Sequence, residues 1–223
     1  MLEARETEHP AEQPDKEDNF DAIAMSALLS SRICHDLINP VGAIGSGLEV
    51  LDDPSMDGSM HEAALDLIRS GAGKAIALLT YARLAYGAAG GFGAQISLED
   101  ANKVLADLFE TVKPDLDWQI GGGFADKENV KVLLILAYAA ADCVPRGGKV
   151  EIAGEINDFT ITATGKKVLL QEDLLSALRG EAQDIAPKYM PTLIALKLAE
   201  DRGGQISATK DDEKVVLKAS FGG

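Results

Sequence analysis

His35-Asp36-Leu37-Ile38-Asn39-Pro40 is the stretch that decides how this chain folds. On both sides of it, apolar or small residues recur at Ile23, Ala27, Ser30, Cys34, Leu37, Val41, Ile44, Leu48 and Leu51. The steps alternate between three and four, which is the seam of a helical bundle. Pro40 therefore falls inside a helix. A proline there removes a backbone donor and crowds the carbonyl four residues back, at a cost of about 3 kcal/mol. That carbonyl belongs to Asp36, so the distortion sits beside the histidine. Such strain is tolerated more readily where a site does chemistry.

The helix has Asp18 or Asn19 as its expected N-cap and stops before Asp53-Pro54. A second helix is predicted from Met60 to Gly87, with its seam at Leu65, Ile68, Ala72, Ala75, Leu79, Ala82 and Tyr86. The short turn between the two implies an antiparallel hairpin. Leu67, Ile76, Leu78 and Leu84 lie off that seam and need a second partner. A homodimer in which two hairpins make a four-helix bundle is the economical solution. The alternative is that the rest of the chain covers that face.

Gly87-Ala88-Ala89-Gly90-Gly91-Phe92-Gly93 breaks the pattern and reads as a linker. Beyond it, helices are predicted at 98–112, 130–144, 172–178 and 191–202, and strands at 116–120, 149–153, 159–163, 205–209 and 215–221. These make an α/β sandwich with helices on one face of a mixed sheet. The fold class is α+β. A polar leader over residues 1–18, expected to be disordered, precedes a helical hairpin over 19–88 and an α/β domain over 96–223.

The 223 residues carry a formal net charge of -15. That opposes nucleic acid and anionic membranes as partners, since both need basic patches. No apolar run approaches the ~18 residues of a membrane span, and the acidic N-terminus does not resemble a signal peptide. Cys34 and Cys143 match neither a disulfide nor a metal spacing. A cytoplasmic setting follows as the expectation.

His35 stands one step off the seam, which places its ring at the bundle surface. A neutral imidazole nitrogen is a good nucleophile. Asp36 can accept a hydrogen bond from a ring or a water, and Asn39, one turn on, can bond an incoming phosphoryl group. Arg32, about one turn before, can offset its charge. Ser31, Arg32, Ile38, Gly42 and Ser46 are the partner-facing candidates, and most are small enough to let another protein approach closely. Arg83 and Lys74 on the second helix are further candidates for the same surface. Trp118, Tyr138 and Cys143 are expected in the core.

His35-Asp36-Leu37-Ile38-Asn39-Pro40 resembles the H box of sensor histidine kinases, and the order of bundle then sandwich resembles their dimerisation and ATP-binding (Bergerat) domains. The ATP-contacting boxes are degenerate. The Pro-x-Gly-Gly turn is present as Pro145-Arg146-Gly147-Gly148, but Ala139 stands where the Mg²⁺-holding asparagine is expected. Ala163 replaces the adenine-reading acid, with only Gly165 kept. Arg202-Gly203-Gly204 ends the last helix, while the loop before it, Tyr189-Met190-Pro191-Thr192, has no glycine.

A kinase scaffold without its ATP-binding residues is the pattern of a histidine phosphotransferase. Arg32-Ile33-Cys34-His35-Asp36, Ser46-Gly47-Leu48-Glu49-Val50-Leu51 and Leu116-Asp117-Trp118-Gln119-Ile120 resemble the alphaproteobacterial ChpT-type family. The resemblance implies a homodimer that shuttles a phosphoryl group from the receiver domain of a hybrid histidine kinase to response-regulator receivers controlling the cell cycle. His35 would be the phosphoacceptor, with Asp36 and Asn39 assisting. No cofactor is expected on this chain, and Mg²⁺ is expected on the receiver. The rival readings are an active kinase with an eroded signature, a dimeric scaffold with a vestigial H box, and a receiver phosphatase in which Asp36 and Asn39 place a water.

Overall fold

The computed structural model describes residues 16–87, 95–181 and 185–222, with side chains from residue 22 onward. Most of the expected leader and nearly all of the glycine-rich linker lie outside the described residues.

Helix α1 spans Lys16–Asp52 with Pro40 inside it, so it begins slightly before the expected caps at Asp18 or Asn19. Helix α2 spans Gly58–Tyr86 and starts at Asp57, whose Oδ1 accepts from the Met60 backbone N–H at 3.0 Å. The two pack as an antiparallel hairpin, and a glycine sets the approach beside the proline. A Cβ on Gly71 would sit 2.6 Å from the Pro40 carbonyl oxygen and 3.0 Å from Ile44. The backbones can come this close only because Gly71 has no side chain. Leu37, Ile44 and Leu51 of the predicted seam are partly buried, whereas Cys34, Val41 and Leu48 are exposed.

The second domain opens with β1 (Gln95–Ser97), α3 (Leu98–Phe109), β2 (Asp115–Trp118), β3 (Phe124–Asp126) and α4 (Lys127–Asp142). It continues with β4 (Lys149–Glu155), β5 (Asp158–Thr164), α5 (Glu172–Leu178) and a 3₁₀ turn (Pro187–Tyr189). It ends with α6 (Met190–Glu200), β6 (Gln205–Lys210) and β7 (Lys214–Ser220). The main sheet has the order β2-β4-β5-β7-β6. Only β2 with β4 is parallel, so the sheet is mixed as expected. The strands β1 and β3 pair separately and antiparallel.

Alternation places the core on one face of the sheet. Val150 and Ile152, Phe159, Ile161 and Ala163, and Val215, Leu217 and Ala219 are all buried, while their strand neighbours face outward. Helix α4 covers that face and is itself buried nearly all round, from Val130 to Ala140. The hairpin closes its other side. Leu78, Leu84 and Ala85 of α2 join the same core, and the Tyr81 hydroxyl donates to the Leu134 carbonyl at 3.3 Å. The off-seam residues of α2 therefore split. Leu78 and Leu84 are covered within the chain, and Leu67 and Ile76 remain exposed.

Candidate functional site

His35 projects from α1 with its side chain 79% exposed. Its Nδ1 lies 3.7 Å from Asp36 Oδ1, within ion-pair reach and longer than a hydrogen bond. The ring stands at an open cleft of about 470 Å³. Ser31, Arg32 and Asp36 line the cleft from the hairpin, and Tyr138, Asp142, Ala186, Pro187 and Lys188 from the second domain. Lys188 Nζ pairs with Asp142 Oδ2 at 3.3 Å on the far wall.

Arg32 corrects a sequence reading. It was expected on the partner-facing surface, yet it is 8% exposed because it points into the joint between the domains. Its Nε donates to Asp36 Oδ2 at 2.6 Å and its Nη1 to the Lys188 carbonyl at 3.3 Å. The guanidinium lies 5.7 Å from the centre of the Tyr138 ring, a cation–π distance. Burial disfavours its charge, but Asp36 outweighs burial and raises the pKa above the ordinary arginine value. Burial, and next the charge of Asp36, push the Tyr138 phenol up to about 12. Tyr138 was expected simply in the core; it is partly buried, and its ring face meets Arg32.

Behind Arg32 lies a second, narrower cavity of about 30 Å³. Ala139, Cys143, Tyr189, Pro191 and Thr192 line it from the second domain, at two of the boxes where nucleotide contacts were sought. Arg32, Tyr81 and Tyr86 of the hairpin line its other side. The volume admits a water or two, far below the 300–1,000 Å³ typical of ligand pockets. The rings interlock edge-on, Tyr81 with Tyr86 at 5.6 Å and with Tyr138 at 5.1 Å. Burial pushes the Cys143 thiol up to about 12, so it is an inert core group. The surviving Gly165 has a packing reason of its own, because a Cβ there would meet the Gly147 carbonyl oxygen at 2.6 Å.

The structure thus gathers Ser31, Arg32, His35 and Asp36 around one cleft. Ile38, Asn39, Gly42 and Ser46 are exposed along α1 outside it. Lys74 lines a separate groove with Asp107 of α3 and Glu110 just past its end, and Arg83 is exposed on α2. Tyr138, Asp142, Pro187 and Lys188 are cleft residues that sequence reasoning did not assign. Their one signal was position, since Lys188 immediately precedes the loop whose glycines are missing. Among the described residues no group of His, Cys, Asp or Glu is placed to hold a metal ion, and no helix is long and apolar enough to cross a membrane.

Known proteins share both halves of this arrangement. The family model of the histidine phosphotransferase C-terminal domain matches residues 98–214. The protein phosphotransferase ChpT of Brucella abortus is 37% identical over 209 residues, covering 89% of this chain and 96% of that one. The solved structure of a bacterial phosphotransferase superposes with a TM-score of 0.78 at 36% identity, over 89% of this chain and 97% of its own. With a relative this similar over nearly the whole of both chains and a family model over half of this one, this chain belongs to the ChpT-type histidine phosphotransferase family.

Proposed function

We propose that this protein relays a phosphoryl group between aspartates of receiver domains, through a phosphohistidine at His35 and without binding ATP. One observation carries the reading. The only strongly exposed imidazole described on the hairpin has a carboxylate 3.7 Å from Nδ1 and opens on a cleft shared by both domains. Closing the 3.7 Å gap when a receiver docks lets Asp36 Oδ1 accept from Nδ1–H, which leaves the Nε2 lone pair free to attack. Nε2 attacks phosphorus of the receiver's aspartyl phosphate in line. The N–P bond forms as the acyl O–P bond breaks, and that electron pair returns to the receiver's aspartate as carboxylate. The phosphoimidazole keeps its Nδ1 proton, and Asp36 offsets the positive charge on the ring. Reversal onto a second receiver completes the relay.

Positioning and electrostatics govern such a transfer. The receiver of a hybrid histidine kinase would bring its own Mg²⁺ and lysine, and this chain supplies the nucleophile. Exposed Ser31, Ile38, Asn39, Gly42 and Ser46 would form the docking strip, with response regulators of the cell cycle as recipients. The narrow 30 Å³ cavity, lined on one side by Tyr81, Tyr86 and Arg32, supports a domain without nucleotide. Exposed Val41, Leu48, Leu65 and Leu79, which continue the two seams, support a homodimer built as a four-helix bundle.

The test is to incubate wild type and His35→Ala with radiolabelled ATP alone, then with a phosphorylated receiver, and to follow acid-labile phosphate on the protein. Label only from the receiver, and absent from the variant, is the expected result. Label from ATP alone would make the protein a kinase. No label from an active cognate receiver would favour a dimeric scaffold.

A further inference from the structure

Arg32 is where the second domain reaches the helix that carries His35. A buried arginine needs partners for its charge and its donors, and this one finds them on both sides of the joint. Nε serves Asp36 on its own helix, Nη1 serves the Lys188 carbonyl 156 residues away, and Tyr138 of α4 provides the ring face. A surface i,i+4 pair contributes little, but this one is held from the other domain.

The two oxygens of Asp36 have divided tasks. Oδ2 accepts from Arg32 at 2.6 Å, and Oδ1 lies 3.7 Å from His35 Nδ1. Fixing one oxygen fixes the direction of the other. The same turn of α1 is short of one internal support, since Pro40 has no N–H to give to the Asp36 carbonyl. An external tie at Arg32 supplies the reference that the helix itself lacks there.

We propose that Arg32 is a positioning residue for the reaction at His35, and that the second domain acts on transfer by holding Arg32 through Tyr138 and the Lys188 carbonyl. The inference rests on His35 being the phosphoacceptor. It assigns the degenerate domain a direct part in the chemistry, reaching His35 through Arg32 and then Asp36. Lysine can replace the charge but cannot serve Asp36 and the Lys188 carbonyl with one planar fork.

Phosphoramidate separates positioning from docking. It gives its phosphoryl group to an imidazole nitrogen with loss of ammonia, and as a small molecule it needs no docking surface. Initial rates of phosphohistidine formation would be measured on the full chain for wild type, Arg32→Gln, Arg32→Lys, Asp36→Asn and the Arg32→Gln/Asp36→Asn double variant. Arg32→Gln is expected to slow labelling about tenfold, since a misplacement of reacting groups by about 1 Å can cost about a hundredfold and a loosened tie costs part of that. Arg32→Lys should fall between it and wild type. The double variant should be no slower than the slower single, because both changes cut one path.

Wild-type labelling of Arg32→Gln, with only its melting temperature lowered, would make Arg32 mere glue between domains. Single effects that multiply in the double variant would also overturn the proposal. Should Arg32→Gln not fold, Tyr138→Leu removes the supporting face with Arg32 and Asp36 intact. It is then expected to slow labelling by about threefold or more on the same positional grounds, and an unchanged rate overturns the idea. A wild type that phosphoramidate does not label at His35 defeats this inference and the relay together. One labelled by phosphoramidate but by no receiver defeats the relay alone.

Discussion

Helices α1 and α4 are both rich in apolar residues, yet they meet opposite fates. In α4, Val130, Val132, Leu133, Leu134, Leu136 and Ala137 have no exposed surface at all, because the sheet covers one side and the hairpin the other. Helix α1 leaves Ile23, Ile38, Val41 and Leu48 open, with Ile38 67% exposed. The contrast separates two uses of the same residue types. Helix α4 is the centre of a closed core, and Arg32, Tyr81 and Tyr86 of the hairpin line the narrow cavity beside its Ala139. Helix α1 is the element whose needs the single chain does not meet, and it carries the exposed imidazole.

One charge placed in each helix tests that division most severely. Leu134→Asp buries an unpaired carboxylate with no exposed surface to relieve it, which should cost more than about 4 kcal/mol and unfold the second domain. Val41→Asp should leave the far-ultraviolet spectrum intact and change the assembly instead. Light scattering is expected to give twice the chain mass for wild type and a single chain for Val41→Asp, most clearly when combined with Leu79→Asp. A Val41→Asp/Leu79→Asp protein that keeps the wild-type mass would break the comparison, since the open face of α1 would then not be the dimer seam.

A gentler test sits within α2, where two glycines look alike in sequence. A Cβ at Gly71 meets the Pro40 carbonyl oxygen at 2.6 Å, and one at Gly73 meets nothing within 4 Å. Gly71→Ala must push α2 away from the proline turn, with an expected loss of about 1–3 kcal/mol. Gly73→Ala should gain up to about 1 kcal/mol from helix propensity alone. Thermal melts of the two variants should move in opposite directions. Equal shifts would mean that the hairpin is not closely packed at Pro40.

Period was legible in the sequence, and partnership was not. The helix 172–178 stands where the spacing put it, and the five strands of the main sheet lie within two residues of their expected bounds. The pair β1 and β3 was missed because three residues each carry too little alternation to register. The hairpin seam was legible as one stripe, but a repeat of three and four does not say which members face α2. Leu37 and Ile44 do, and Val41 does not. His35 and its neighbours were legible because they are local on one helix. Arg32 was placed on the wrong side for the converse reason. Its ring partner and its carbonyl come from α4 and from the 3₁₀ turn, and no local spacing reveals contacts at that separation.

The smallest effect is expected at the turn that joins the two helices, where acid should act on the hairpin before it reaches the core. Asp57 Oδ1 accepts from the Ser59 hydroxyl at 2.6 Å and from the Met60 N–H at 3.0 Å. Asp53 Oδ1 likewise accepts from the hydroxyl and N–H of Ser55. These bonds, the hydroxyls first, hold both carboxyls below the ordinary 3.8. A carboxyl lowered by folding contributes its stabilisation above the unfolded value and loses it as pH falls through the folded one. Protection of the Met60 amide from hydrogen exchange should therefore drop as pH falls below 3.8, while the amides of α4 stay protected. Asp57→Asn keeps an oxygen acceptor at the cap and removes the titration, so its Met60 protection should lose most of that pH dependence. The same acid-induced loss in Asp57→Asn would mean that the hairpin opens as a whole at low pH, and that α1 and α2 are no more independent of the core than α4 is.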